Sequence, residues 1–218
     1  MGRMTGPYAA ASATISSRGP AVAAPPLDSR VSRYDNPCVD VRRDVIERLD
    51  GAGIGYFVTG SEAMAIHALA YRATNDIDLV VRLDPAAYES RLRPAFEPEY
   101  LVNDPIRVGH RWLGAVIHVT AIGKADLVMR DLDPWGDSAF ARRVQAEDPA
   151  LGKTWVSSIE DLLIAKAEFA AGDLSGLQAR DCRRIAAASP DLDLAYVRSQ
   201  AAGLGLSAFL AEVIARVD

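Results

Sequence analysis

Apolar positions along the chain follow two periodicities, and their boundaries predict a mixed α/β protein. Val41, Val45, Ile46 and Leu49 recur at helical spacing with charges between them, which predicts an amphipathic helix over 39–49, ended by Asp50-Gly51-Ala52-Gly53. Tyr56-Phe57-Val58 is a short apolar run suited to a buried strand. Thr59-Gly60-Ser61 breaks it, residues 62–70 favour helix, and a turn over 71–75 leads into a second strand, Asp76-Ile77-Asp78-Leu79-Val80-Val81. Asp84-Pro85 opens a further helix that runs to about residue 92 and is ended by Pro94.

Beyond it the pattern predicts a short strand at 100–102, one or two helical turns over 104–112, and strands at 115–120 and 125–129 joined by a turn at Gly123-Lys124. From Trp155 the spacing becomes helical. One helix over 159–169 is capped by Ser157 or Ser158 and closed by Ala171-Gly172, a second covers 177–188, and two more cover 194–204 and 207–217. The predicted fold is therefore α/β, a small mixed sheet flanked by helices with a helical C-terminal region. The expected organisation is a core over 37–135 followed by that helical region over 136–218. Residues 1–36 are rich in Ala, Pro, Ser and Gly without periodicity. They read as a disordered tail or as translated sequence upstream of the true start.

Composition narrows the function classes. The 218 residues are half hydrophobic and a quarter charged, the balance of an ordinary soluble domain. A net charge of −5 argues against an extended basic footprint for nucleic acid. No apolar run is long enough to span a bilayer. Cys38 and Cys182 stand apart with no ligand spacing, so free thiols and a reducing, cytoplasmic setting are expected.

The chemistry concentrates between Tyr56 and Val81. Strand side chains alternate, so Asp76 and Asp78 share one face. Two carboxylates side by side on an otherwise apolar strand repel each other, and a bound cation removes that repulsion. Free N–H groups at the start of the helix near Ser61 attract phosphate. A hard-cation site beside an anion cradle is what a nucleoside triphosphate with Mg²⁺ needs. The run Gly51-Ala52-Gly53-Ile54-Gly55 precedes a strand instead of following one, so it reads as a turn and not a dinucleotide loop.

Gly60-Ser61, a helix, and Asp76-Ile77-Asp78 on the next strand resemble the signature of the DNA polymerase β-like nucleotidyltransferase superfamily, most closely its small bacterial members. The resemblance extends from about Val39 to the C-terminus. It implies a nucleotidyltransferase fold whose sheet topology spacing alone does not fix. It also implies two Mg²⁺ ions and transfer of a nucleoside monophosphate from an NTP to an acceptor hydroxyl. Asp76, Asp78 and a third carboxylate, Asp126 on a neighbouring strand, would hold the metal, and Gly60 and Ser61 would contact phosphate. The order Asp161, Lys166, Asp181 is similar to that in abortive-infection and toxin-type members, which implies substrate contacts there, a tRNA or small-molecule acceptor, and an antitoxin partner. Arg72, in the turn before the acidic strand, is close enough in sequence to reach a triphosphate.

Each candidate has a plainer alternative. Gly60-Ser61 alone would be a helix cap, and Lys166 a snorkelling surface lysine. Asp161 would be a first-turn acid, Asp181 an ion-pair partner of Arg180 or Arg184, and Arg72 a solvated loop residue. Asp126 would be a strand-edge acid, a description that suits Asp131 and Asp133 better. The set as a whole could belong to a catalytically inactive scaffold that binds a nucleotide or a partner protein. His67, His110 and His118 show no ligand spacing, and Trp112, Trp135 and Trp155 are scattered as core residues are.

Overall fold

The computed structural model describes residues 39–72, 74–130 and 134–215. Cys38, the expected tail, Asp131 and Asp133 lie outside them. The first helix, α1 (Val41–Gly51), begins where the Asp40 carboxylate accepts the Arg42 N–H, and it buries Val41, Val45, Ile46 and Leu49. Strand β1 (Gly55–Thr59) runs directly into α2 (Gly60–Ile66) and then into β2 (Asp76–Arg82).

Helix α2 stops earlier than its apolar sequence predicts. Ala68 adopts a left-handed conformation (φ +56°), and the Leu69 N–H turns back to the Met64 carbonyl. This is the geometry of a Schellman end. Leu69 packs against the core, and that burial outweighs the helix propensity of the segment.

After β2 a single helical stretch combines a 3₁₀ turn (Pro85–Ala87), a wide turn (Tyr88–Leu92) and α3 (Arg93–Phe96). Pro94 therefore does not end it. The proline sits in the first turn of α3, where a backbone N–H has no partner within the helix. The segment expected to be helical over 104–112 is extended instead. Strands β3 (Tyr100–Val102), β4 (Ile106–Val108) and β5 (Arg111–His118) follow one another, with Val108 paired to Arg111 across a two-residue turn. Gly109 takes φ +61° at the first turn position, as that tight hairpin needs.

Strand β6 (Lys124–Arg130) precedes α4 (Pro134–Arg142). A further hairpin, β7 (Val144–Asp148) and β8 (Gly152–Val156), then lies inside the stretch read as wholly helical. It escapes a periodicity reading because β7 is a mostly exposed, polar edge strand. The last helices are α5 (Ile159–Ala170), α6 (Leu177–Ala188), α7 (Leu194–Gly203) and α8 (Ser207–Ala215).

The eight described strands form one mixed sheet in the order β3-β5-β6-β2-β1-β8-β7, with β4 also pairing with β5. Helices flank it, so the α/β class with a mixed sheet holds. One face carries Ile77, Leu79, Val81, Ala125, Leu127 and Met129, all buried. Helix α1 covers it, with Tyr100 donating to Asp44 at 2.6 Å. On the opposite face Phe57, Val80 and Val128 lie under α4 and α5, and the Phe57 and Phe140 rings meet edge to face. No helix among the described residues is long and apolar enough to cross a membrane.

Glu62 is buried in the first turn of α2, where it accepts from Arg42 at 3.3 Å. Burial raises its carboxyl above the ordinary value, and the Arg42 guanidinium offsets this only in part. A carboxyl raised on folding contributes stability at low pH that is lost as pH rises through its folded pKa. Glu62→Gln is therefore expected to be more stable than the parent at pH 8. The difference should close as pH falls towards 4, as followed by urea denaturation across that range.

Candidate active site

The corner between β1 and α2 sets the site. Gly60 adopts φ +66°, and a Cβ there would overlap the Asp78 carboxylate, so only glycine lets this side chain lie against the helix start. The Ser61 N–H at the helix start is the smallest of the influences that lower the Asp78 carboxyl. Thr59 precedes the helix without a side-chain cap bond.

Asp78 then meets a neighbour through strand register. β2 and β6 run parallel, with Asp78 opposite Asp126 and Asp76 opposite Lys124. All four residues consequently share one face of the sheet. Burial, followed by the Asp126 charge, raises the Asp78 carboxyl, against the lowering influence of Lys166, Lys124 and the Ser61 N–H. Asp76 lies at the exposed start of β2, where its N–H is bonded to the Thr74 hydroxyl at 3.0 Å. Lys124 places its ammonium 2.8 and 2.6 Å from the two Asp126 oxygens.

Among the described residues, no group of three or more His, Cys, Asp and Glu side chains is gathered closely enough to hold a metal ion. The structure brings Asp78 and Asp126 together and leaves Asp76 at the margin. The donor chemistry nevertheless suits a hard divalent cation, since Asp78 and Asp126 offer carboxylate oxygens beside each other. A cation already stands among them, because the raised Lys124 pKa reflects its hydrogen bond to Asp126 first and then the charges of Asp126, Asp76 and Asp78.

A cavity of about 80 Å³ opens beside Asp78, bounded by Thr59, Gly60, Val128, Ala165, Lys166, Phe169 and Gln178. Lys166 is only 5% exposed, which rules out the snorkelling alternative. Its ammonium lies 3.0 Å from Asp181, and Arg72 reaches the same Asp181 oxygen at 2.6 Å. Asp181 pairs with neither Arg180 nor Arg184 in this arrangement, and Arg72 is an ion-pair partner instead of a loop residue pointing to solvent. Of these three groups Lys166 borders the cavity, and its charge also lowers the Asp78 carboxyl.

Asp161 is a correction to the sequence reading. It is buried, and its oxygens accept from Trp135 Nε1 (2.8 Å), Ser158 Oγ (2.6 Å) and Tyr196 Oη (2.7 Å). It ties α4 and α7 to the start of α5 and has no oxygen to offer a substrate. Lys124 and Gln178 were not foreseen. Lys124 was legible, since it lies two residues from Asp126 on the same strand and must share its face. Gln178, whose Oε1 is buried without a partner, gave no signal because α6 reaches the cavity only through tertiary packing.

No protein family matches the sequence, and neither does any curated protein. Solved structures do resemble the backbone. An antigenic nucleotidyltransferase-like protein from Paracoccidioides brasiliensis shares 15% identity over 80% of this chain and 91% of its own, with a TM-score of 0.46. The antibiotic-resistance factor ANT(2'')-Ia shares 15% identity over the same shares, with a TM-score of 0.49. JHP933 from Helicobacter pylori shares 12% identity over 80% of this chain and 89% of its own, with a TM-score of 0.34.

Asp161→Ala is expected to destabilise the fold by about 2–4 kcal/mol, because the buried donors Trp135 and Ser158 and the half-buried Tyr196 lose this acceptor. Denaturant titration would measure the loss. Asp78→Asn should instead raise the melting temperature of the metal-free protein, since it removes a half-buried charge held beside Asp126. An unchanged or lower melting temperature would contradict that account.

Proposed function

We propose that this chain is a Mg²⁺-dependent nucleotidyltransferase that moves a nucleoside monophosphate from an NTP to an acceptor hydroxyl, releasing pyrophosphate. The observation that carries the reading is the pairing of opposite charges across one small cavity. Asp78 and Asp126 lie side by side on neighbouring strands, and Lys166, which shares Asp181 with Arg72, lines the cavity that Asp78 borders. The first arrangement favours a cation and the second an anion, which together suit a metal-bound triphosphate.

In this reading Asp76, Asp78 and Asp126 hold the metal, with Asp76 swinging in from the exposed start of β2. Bound Mg²⁺ would neutralise charge on the triphosphate and lower the pKa of the acceptor hydroxyl. The residues of the chain supply position and compensating charge. Ser61 offers its hydroxyl to the phosphates, and Lys166 and Arg72 neutralise the departing pyrophosphate. Gly60 keeps Asp78 close to the helix start, and Phe169 and Gln178 line the cavity beside it.

The acceptor side is the open half of the same sheet face. Leu101 (60% exposed), Ile106 (62% exposed) and Ile117 lie on it, beside β6 with its Asp126. An apolar platform suits an acceptor with an apolar body bearing a hydroxyl better than it suits the phosphate backbone of tRNA. The Lys124–Asp126 ion pair favours a second reading, a nucleotide-binding scaffold in which the carboxylates are already neutralised.

Incubation with labelled NTPs, Mg²⁺ and cell extract tests the proposal by asking what becomes labelled. A labelled small molecule supports the apolar-acceptor reading, and labelled RNA replaces it with a tRNA-type one. Asp78→Ala is expected to lower transfer by about 10³-fold or more. Full transfer by that variant would refute the assignment. Nucleotide stabilisation in a thermal melt that needs no Mg²⁺, with no label transferred, would establish the scaffold instead.

A further inference from the structure

Lys124 sets its ammonium on one of the two neighbouring carboxylates. Its Nζ spans both oxygens of Asp126 at 2.6 and 2.8 Å. The parallel register sets it opposite Asp76, two positions along the strands from the Asp78 and Asp126 pair and on the same face. Lysine and aspartate two residues apart on a strand necessarily share a face, so this contact is built into the Lys124-Ala125-Asp126 sequence. Both partners are more than one-third exposed, at 37% for Lys124 and 40% for Asp126. An ion pair so open to water is weak and readily exchanged. A divalent cation competing for the same oxygens meets an ammonium that a flexible four-carbon stem can carry elsewhere.

We propose that Lys124 is a resident counterion for the carboxylate site, holding Asp126 until nucleotide arrives and then moving its ammonium from the carboxylate to the triphosphate. The inference rests on the nucleotidyltransferase reading and adds to it a coupling between metal and nucleotide. Metal alone must expel Lys124 into water, whereas metal with a triphosphate gives the ammonium a new anionic partner. The two ligands therefore bind cooperatively, and Lys124 is the group that couples them.

Calorimetric titration of Mn²⁺, with and without α,β-methylene ATP, tests this on the full chain, on Lys124→Met and on Lys124→Gln. Circular dichroism melts would establish that each variant is folded. Both variants should bind Mn²⁺ alone about tenfold more tightly than the parent, because the competing charge is gone. The analogue should then raise Mn²⁺ affinity less in the variants than in the parent, because the coupling has lost its carrier. A purely structural ion pair would leave this coupling unaltered.

Equal or weaker Mn²⁺ binding by folded variants, or nucleotide coupling equal to that of the parent, would overturn the inference. Asp78→Asn separates that failure from failure of the underlying reading. If Mn²⁺ binding is lost in Asp78→Asn yet indifferent to Lys124, the metal site stands and the counterion role falls. If no form of the protein binds Mn²⁺, both fall together.

Discussion

The contact between Gly60 and the Asp78 carboxylate is the constraint around which the rest of the site is arranged. β1 and β2 are antiparallel neighbours joined through α2, and Thr59 at the end of β1 pairs with Asp78 near the start of β2. That register forces the Asp78 side chain towards the backbone of the strand-to-helix corner. Any side chain on residue 60 would collide with it, and the φ of +66° would strain any residue but glycine. The close approach sets the carboxylate against the helix start, where Lys166, Lys124 and, least, the Ser61 N–H oppose the rise that burial and Asp126 impose on it.

Around this point acids and cations interlock. Asp78 and Asp126 are like charges in adjacent strands, and Lys124 is paired with Asp126. Beyond the cavity, Arg72 and Lys166 share the Asp181 carboxylate, which is itself only 4% exposed, and the Lys166 charge also lowers the Asp78 carboxyl. Buried ions normally occur as such matched sets, because each unmatched charge carries a desolvation cost.

The sheet divides the labour. Its central strands are covered on both faces, by α1 on one side and by α4 and α5 on the other, which holds β2 and β6 rigid where the carboxylates project. Towards β5, β3 and β4 the site-bearing face is open, and Leu101, Ile106 and Val108 remain exposed. The rigid half positions the acids, and the uncovered half leaves room for a second molecule to approach them.

Much of this was legible in the sequence alone. The α/β class, the buried central strands, the α1 face and the sharing of one face by Asp76 and Asp78 all follow from periodicity, a property of neighbouring residues. Helices α5 and α6 were similarly readable, because Ser158 and the breaks at Ala171 and Ser189 punctuate a strong helical pattern. What the sequence left open depends on contacts between distant segments. The β4–β5 and β7–β8 hairpins are short and polar or exposed, so pairing, more than pattern, makes them strands. Only parallel register could place Asp126 beside Asp78. Only packing of α5 and α6 could turn Lys166 and Asp181 into a buried pair and take Asp161 out of the site. Local chemistry determined which residues face which way, and tertiary structure decided which of them meet.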